Sequence, residues 1–329
     1  MAPDPTPSFA PIASYVLDGE GGAQRPDLEA FEQHMDAGDV VWAHLDRGVE
    51  GTEEWLRERS GLDAVTCDAL LYPDTRPRAR VYGRGIMLIL RVPNRNEGDS
   101  QEDMVALRLW VEARRMISVR LRRVDTAASV GRQLDRGQGP ADTRALLSEL
   151  VHGILDRLEP VLDDLEERVD RAEEALQQRG AARPDDSLAR LRRELAIYYR
   201  HLKPQQSALV HLGSIDYLDW FEPPAVAQLH EASERTARMT EDLETLRERA
   251  ELVYEEWQIR VSDQLNRRMY VSAIAAALFL PLTFVTGMLG INVGGIPLAD
   301  DTRGFMLVCG VVLLLGALEV CVLWRRRWL

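Results

Sequence analysis

The sequence predicts an α+β membrane protein, in which an N-terminal α/β domain is joined through a helical hairpin to a very long stalk helix that becomes the first of two membrane spans. Three observations carry this expectation. Short runs rich in Val, Ile, Leu and aromatic residues fill the chain as far as Leu121. From Pro224 no Gly or Pro interrupts the chain until Pro281. Two apolar runs, 269–289 and 304–324, close it, and each has about 21 residues, the length that carries a helix across a bilayer core.

Taken in order, residues 1–12 are rich in Pro and read as a disordered lead-in. They lack a basic segment followed by an apolar core, so membrane insertion is expected to be directed by the two C-terminal runs. The α/β domain covers 13–140. Its expected strands are 14–17, 40–45, 79–82, 86–92, 105–111 and 116–121, with helices at 52–60 and 63–71 between them. The Gly19-to-Gly22 cluster fits neither a dinucleotide nor a phosphate loop and reads as a turn.

The period turns helical near Thr143, within a hairpin and connector assigned to 141–222. Leu146, Leu150, Ile154, Leu158, Leu162, Leu165 and Val169 trace one apolar side, and the breaker around Gly180 and Pro184 ends the helix near Gln178. Pro160 is expected to kink this arm, and Lys203-Pro204 to kink or restart the return arm that begins near Asp186. Asp163, Glu166, Glu167, Asp170, Glu173 and Glu174 stack on the polar side of the first arm. They read chiefly as a solvated face balanced by Arg168, Arg171, Arg190, Arg192 and Arg193, with a cation-attracting surface as the alternative.

The stalk occupies 223–268 and continues as the first span, 269–289. An unbroken helix from Pro224 to Met288 would be about 97 Å long at 1.5 Å per residue. Its apolar positions Ala227, Leu229, Met239, Leu243, Leu246, Ala250, Val253, Trp257 and Ile259 need partners, partly from the hairpin and partly from other copies of the chain. An outer loop, 290–303, a second span, 304–324, and a basic tail, 325–329, complete the order. Arg260, Arg267, Arg268, Arg325, Arg326 and Arg327 flank the outer ends of the pair, whereas the loop holds only Arg303, beside Asp300 and Asp301. The positive-inside rule then places both termini in the cytoplasm. Glu319 is the one charge within the spans; an intramembrane carboxylate is a functional candidate, but its place near the cytoplasmic end lets it snorkel or pair with the arginines, which is the favoured reading.

Composition narrows the function. The net charge of -13, from 40 basic and 53 acidic residues, argues against a nucleic-acid partner. Three cysteines, Cys67, Cys309 and Cys321, have no C-x-x-C spacing, and the six histidines form no H-x-x-x-H pair. No protease, kinase, nucleophile-elbow or phosphate-loop pattern is present, so the chain does not read as an enzyme and no cofactor is expected.

Alternating steps of four and three from Met269 give Ala273, Ala276, Leu280, Thr283, Gly287 and Gly290, a row of mostly small or mildly polar residues. Run backwards, the row passes Asn266, Ser262, Ile259 and Glu255. Beyond it lies Gly290-Ile291-Asn292-Val293-Gly294-Gly295-Ile296-Pro297.

This stretch resembles the CorA superfamily of divalent-cation transporters, whose mark is a Gly-x-Asn tripeptide at the outer end of the penultimate helix. Here the tripeptide is Gly290-Ile291-Asn292. The Gly-Met-Asn wording of the magnesium branch is absent, and the loop is similar to that of the ZntB branch, associated with zinc. The resemblance extends back through Asn266, Arg267, Arg268, Met269 and Tyr270, and returns at Leu17-Asp18-Gly19-Glu20-Gly21-Gly22.

The resemblance implies a homopentameric funnel in the inner membrane that passes divalent metal ions. The expected cargo is Zn2+, with Cd2+, Ni2+ and Co2+ as further candidates, and direction and proton coupling stay open. Two spans per chain cannot enclose an ion path, so a conductor has to be a ring of subunits. Gly290, Ile291 and Asn292 are then the selectivity loop. Thr283 meets the ion's water, Leu280 and Met269 form apolar constrictions, and Asn266 and Glu255 ring the inner mouth, with Ala276, Ala273, Ser262 and Gly287 completing the lining. A helix rotated by one position would substitute Tyr270 and Phe284. The alternatives are a Mg2+/Co2+ channel and a non-conducting membrane-tethered sensor or scaffold.

Overall fold

The computed structural model describes residues 11–73, 76–94, 104–177, 186–215, 218–221, 223–290 and 302–326. It divides into two compact units, 1–253 and 254–329.

The first unit is built on a seven-stranded sheet of β1 (Ala13–Leu17), β2 (Ala23–Gln24), β3 (Val41–Asp46), β4 (Arg78–Tyr82), β5 (Gly85–Pro93), β6 (Met104–Val111) and β7 (Arg115–Arg120). Strand order is β2-β1-β3-β7-β6-β5-β4. Only β3 and β7 run parallel, and the intervening chain makes the long crossover such a pair requires. Helices α1 (Leu28–Ala37), α2 (Thr52–Glu58) and α3 (Ala64–Leu71) supply much of the core on one face. Asp27 and Asp63 start α1 and α3 by accepting the Ala30 and Thr66 amides at 2.9 and 2.8 Å, and Gly38 closes α1 at a φ of 80°.

The opposite face carries Tyr15 stacked on Trp42 at 5.1 Å, with α4 (Asp125–Asp135) against it. Gly131 of α4 has to be glycine, because a Cβ there would stand 2.2 Å from the Tyr15 hydroxyl. The same face buries a polar group. His44 and Trp42 both bond Ser118 Oγ at 2.8 Å, and burial, helped by the Arg120 charge, pushes the imidazole down to about 3.

The six expected strands are present within one or two residues, together with the two expected helices. The two-residue β2 and helices α1 and α4 were not anticipated. Helix α5 (Thr143–Gln177) contains Pro160 without a break, and α6 (Asp186–Gly213) continues through Pro204, so the return arm does not restart there. Each proline removes one backbone bond, but Leu158, Leu162, Leu202 and Leu209 are buried on either side of them, and this packing keeps the segments helical.

Helix α7 (Pro223–Leu289) is 67 residues long. Within the first unit it buries Leu229, Ala232, Met239, Leu243, Leu246, Ala250 and Val253, while Ala227 is exposed. Ion pairs fasten it to α5 and α6. Arg235 reaches Asp156 and Glu159 at 2.8 Å, and Arg249 reaches Asp170 at 2.6 Å and Glu173 at 2.7 Å. Arg192 of α6 meets Glu251 at 2.5 Å. The acidic face of α5 is therefore balanced in part by α7, not only by arginines of α5 and the return arm. In the second unit, α8 (Thr302–Arg325) packs on the last part of α7, and both segments are long and apolar enough to cross a membrane.

Candidate functional site

The second unit has two distinguishable sides. On α7, Ile274, Ala275, Leu278, Pro281, Leu282 and Val285 are partly covered, and on α8 the covered row is Val308, Val312, Leu315, Gly316, Glu319 and Leu323, with Gly304 buried. The helices approach where Gly316 meets Leu282. A Cβ on Gly316 would lie 3.9 Å from both Leu282 methyl carbons.

At 3.6 residues per turn, the row from Met269 to Gly290 is centred about 180° from this α8-packed face. Ala273, Ala276, Thr283, Gly287 and Gly290 are exposed, and Met269 and Leu280 are 70% and 69% exposed. The continuation through Asn266, Ser262 and Glu255 is exposed as well, as is Ile259. The alternatives Tyr270 and Phe284 are also exposed. Thus α8 leaves the whole predicted row uncovered in a single chain. The helix ends where the Gly290 amide bonds Thr286 O at 3.0 Å. Ile291 and Asn292 lie outside the described residues.

The polar atoms on this row have a definite sense. Thr283 Oγ1 donates to Phe279 O at 2.7 Å, so its proton is committed to the backbone and its lone pairs remain as acceptors. Water in the first shell of a cation points its hydrogens outward, so it needs acceptors of this kind. Leu280, one turn below Thr283, and Met269 offer only apolar surface. Glu255 has no ion pair among the described residues. Nor do the described residues gather three His, Cys, Asp or Glu side chains into one metal-ligating group.

Glu319 departs from expectation. Among the described residues it pairs with no arginine, and its Oε2 is buried without a hydrogen-bond partner on the face of α8 that packs against α7. Spacing gave its membrane depth but not its face, which follows from which side of α8 the small Gly316 turns to Leu282.

Comparison with known proteins agrees with this architecture. The family model described as "CorA-like Mg2+ transporter protein" matches residues 37–327. The divalent cation transporter CmaX of Pseudomonas aeruginosa is 37% identical over 324 residues, covering 97% of this chain and 96% of that protein. The zinc transport protein ZntB of Yersinia pseudotuberculosis is 30% identical over 321 residues, with 97% and 96% covered. A solved structure of full-length CmaX superposes with a TM-score of 0.84 at 35% identity, covering 99% of this chain and all of that one. With two uncovered apolar helices following a sheet domain and a long helix, and a match over most of its length, the chain belongs to the CorA-like transporter family.

Proposed function

We propose that the chain transports divalent metal cations, most favourably Zn2+, through the centre of a homopentamer in the inner membrane, with both termini in the cytoplasm. The observation that carries this reading is the row on α7 opposite α8, where small residues, an acceptor-only hydroxyl and the apolar side chains of Leu280 and Met269 are left exposed in a single chain. Packed against copies of itself around an axis, that row becomes a narrow path. Transport by CmaX and ZntB, as those proteins are named, supports the same reading.

In this account a divalent ion keeps most of its water, because stripping it is too costly without a cage of oxygen ligands. Asn292 carboxamides at the outer loop accept hydrogen bonds from that water, and the Gly290 and Gly287 positions allow close backbone approach. Thr283 accepts further in. Leu280 and Met269 close the path by dewetting, and Asn266 and Glu255 receive the ion at the inner mouth, with Ala276, Ala273 and Ser262 as spacers. Transport itself makes and breaks no covalent bond, so no catalytic residue is assigned.

The zinc assignment rests on the loop wording and the ZntB relatives. The higher identity to a protein named for divalent cations in general favours a second reading, a broader Mg2+/Co2+-type conductor. Uptake into proteoliposomes from a panel of Zn2+, Cd2+, Ni2+, Co2+ and Mg2+ separates them. Zn2+ flux that disappears in Asn292→Ala is the expected result. Magnesium flux with no zinc flux overturns the zinc preference, and full zinc flux in Asn292→Ala removes the loop from the mechanism.

A further inference from the structure

Glu319 stands on α8 one turn past Gly316, the residue that meets Leu282 of α7. Neither of its oxygens has a hydrogen-bond or ion-pair partner among the described residues, and Oε2 is closed off from solvent. The α7 face turned toward α8 carries Ile274, Ala275, Leu278, Leu282 and Val285, none of which titrates or hydrogen-bonds through its side chain. On α8 itself the neighbours on the covered side are Leu315, Gly316 and Leu323, and Cys321 is exposed. The next cations along α8 are Arg325 and Arg326, about 9 and 10.5 Å further along the axis at 1.5 Å per residue. Arg267 and Arg268 of α7 come before the stretch that α8 covers.

A carboxylate in hydrocarbon with no cation and no donor beside it is costly. The cost is relieved in one of two ways, by moving the group to the membrane boundary or by adding a proton. Spacing favours the first, because a glutamate this near a helix end can snorkel. The geometry favours the second. The side chain is turned inward against an apolar stretch of α7, and it does not reach along α8 to Arg326, which lies two turns on and on the same side of the helix.

We infer that Glu319 is a proton-binding site between the two spans. Holding the proton, it lies against α7 as a neutral acid. Without the proton, the carboxylate leaves that contact for the boundary where Arg326 stands, and α8 gives up part of its hold on α7. The inference rests on the two helices crossing a bilayer, as in the proposed function, but not on metal movement. A chain that carries no metal and still binds a proton at Glu319 leaves it standing.

The test uses full-length protein in proteoliposomes near neutral pH. An apolar carbodiimide, dicyclohexylcarbodiimide, is added and the labelled peptides are mapped by mass spectrometry. The carboxyl proton passes to a nitrogen of the reagent while the carboxyl oxygen bonds its central carbon, so the protonated carboxyl is the reacting form and nothing is expelled. The expected result is a label on Glu319 that a water-soluble carbodiimide does not give and that is lost as the medium is made alkaline. Infrared difference spectra of the same liposomes read the proton without any reagent having to enter. The carbonyl band of a neutral carboxyl is expected in the parent and is lost in Glu319→Gln, whose amide matches the neutral acid in shape. Absence of that band from the parent, its persistence in Glu319→Gln, or labelling of Glu319 by the water-soluble reagent as readily as by the apolar one overturns the proposal and returns Glu319 to the membrane boundary.

Discussion

Arg249, in the N-terminal unit, reaches two carboxylates of α5, whereas Arg267 and Arg268, a few turns further along the same helix, have no ion pair among the described residues. The apolar side chains divide in the same way. Leu229, Leu243 and Ala250 are at most 1% exposed, while Met269, Leu280 and Phe284 stand open. The first unit buries its core and pairs many of its charges within one chain. The second leaves the row opposite α8 without a partner in a single chain, and under the proposed function copies of the chain cover it. A helix that is well satisfied at one end and bare at the other points to assembly through its bare end.

The sharpest way to break this contrast is to place the same charge in both units. Leu107, fully buried in β6, should not tolerate aspartate, and even Leu107→Ala should cost about 2–5 kcal/mol of stability in denaturant unfolding. Leu280→Asp should leave folding and membrane insertion intact if its face lines water, and should change cation flux in proteoliposomes instead. Loss of insertion in Leu280→Asp would turn that face toward lipid.

A smaller effect is expected from acid. His44 is neutral in the folded unit down to about pH 3, while the unfolded chain takes up its proton near the ordinary 6.5. Between these values the unfolded state binds more protons, so stability rises with pH across the window and falls on acidification. Thermal unfolding from pH 7 to pH 4 should lose a few kcal/mol. His44→Gln, which keeps a partner for Ser118, should flatten that slope, and an unchanged slope would assign the acid sensitivity elsewhere.

The smallest effect lies at the surface of the hairpin. Arg249→Gln removes two partly exposed ion pairs and should cost no more than about 1 kcal/mol, shrinking as salt is added. A salt-independent loss of several kcal/mol would mean that this pair is shielded from water in the assembled protein.

Much of this was legible in the chain, for physical reasons that differ from element to element. Strands β5 and β6 announce themselves as long apolar runs, and α7 by the lack of Gly and Pro before Pro281. Helices α1 and α4 are short, and α4 carries its buried Val130, Gly131 and Leu134 among polar residues, which weakens the pattern. At Pro204 local backbone preference left a restart open, and burial of Leu202 and Leu209 on either side keeps the segment one helix.

The row on α7 was readable because a fixed period turns spacing into a face. The pairing of Arg249 with Asp170 and Glu173 was not, since these partners lie far apart in sequence and meet only after the hairpin folds. Arg108 had a faint signal, a lone charge inside an apolar strand, but its carbonyl partners Tyr72 and Pro73 lie 36 and 35 residues away and meet it only once the sheet has formed.

The central claim, that the face of α7 opposite α8 lines the ion path, is tested most directly by single cysteines along 276–287 in a protein whose native Cys309 and Cys321 are replaced by serine. A water-soluble, charged thiol reagent is applied during metal uptake into proteoliposomes. Block at Ala276→Cys, Leu280→Cys, Thr283→Cys and Gly287→Cys, with none at Leu278→Cys, Leu282→Cys or Val285→Cys, is the predicted pattern. Block confined to the α8-facing positions, or the absence of any period, would contradict it.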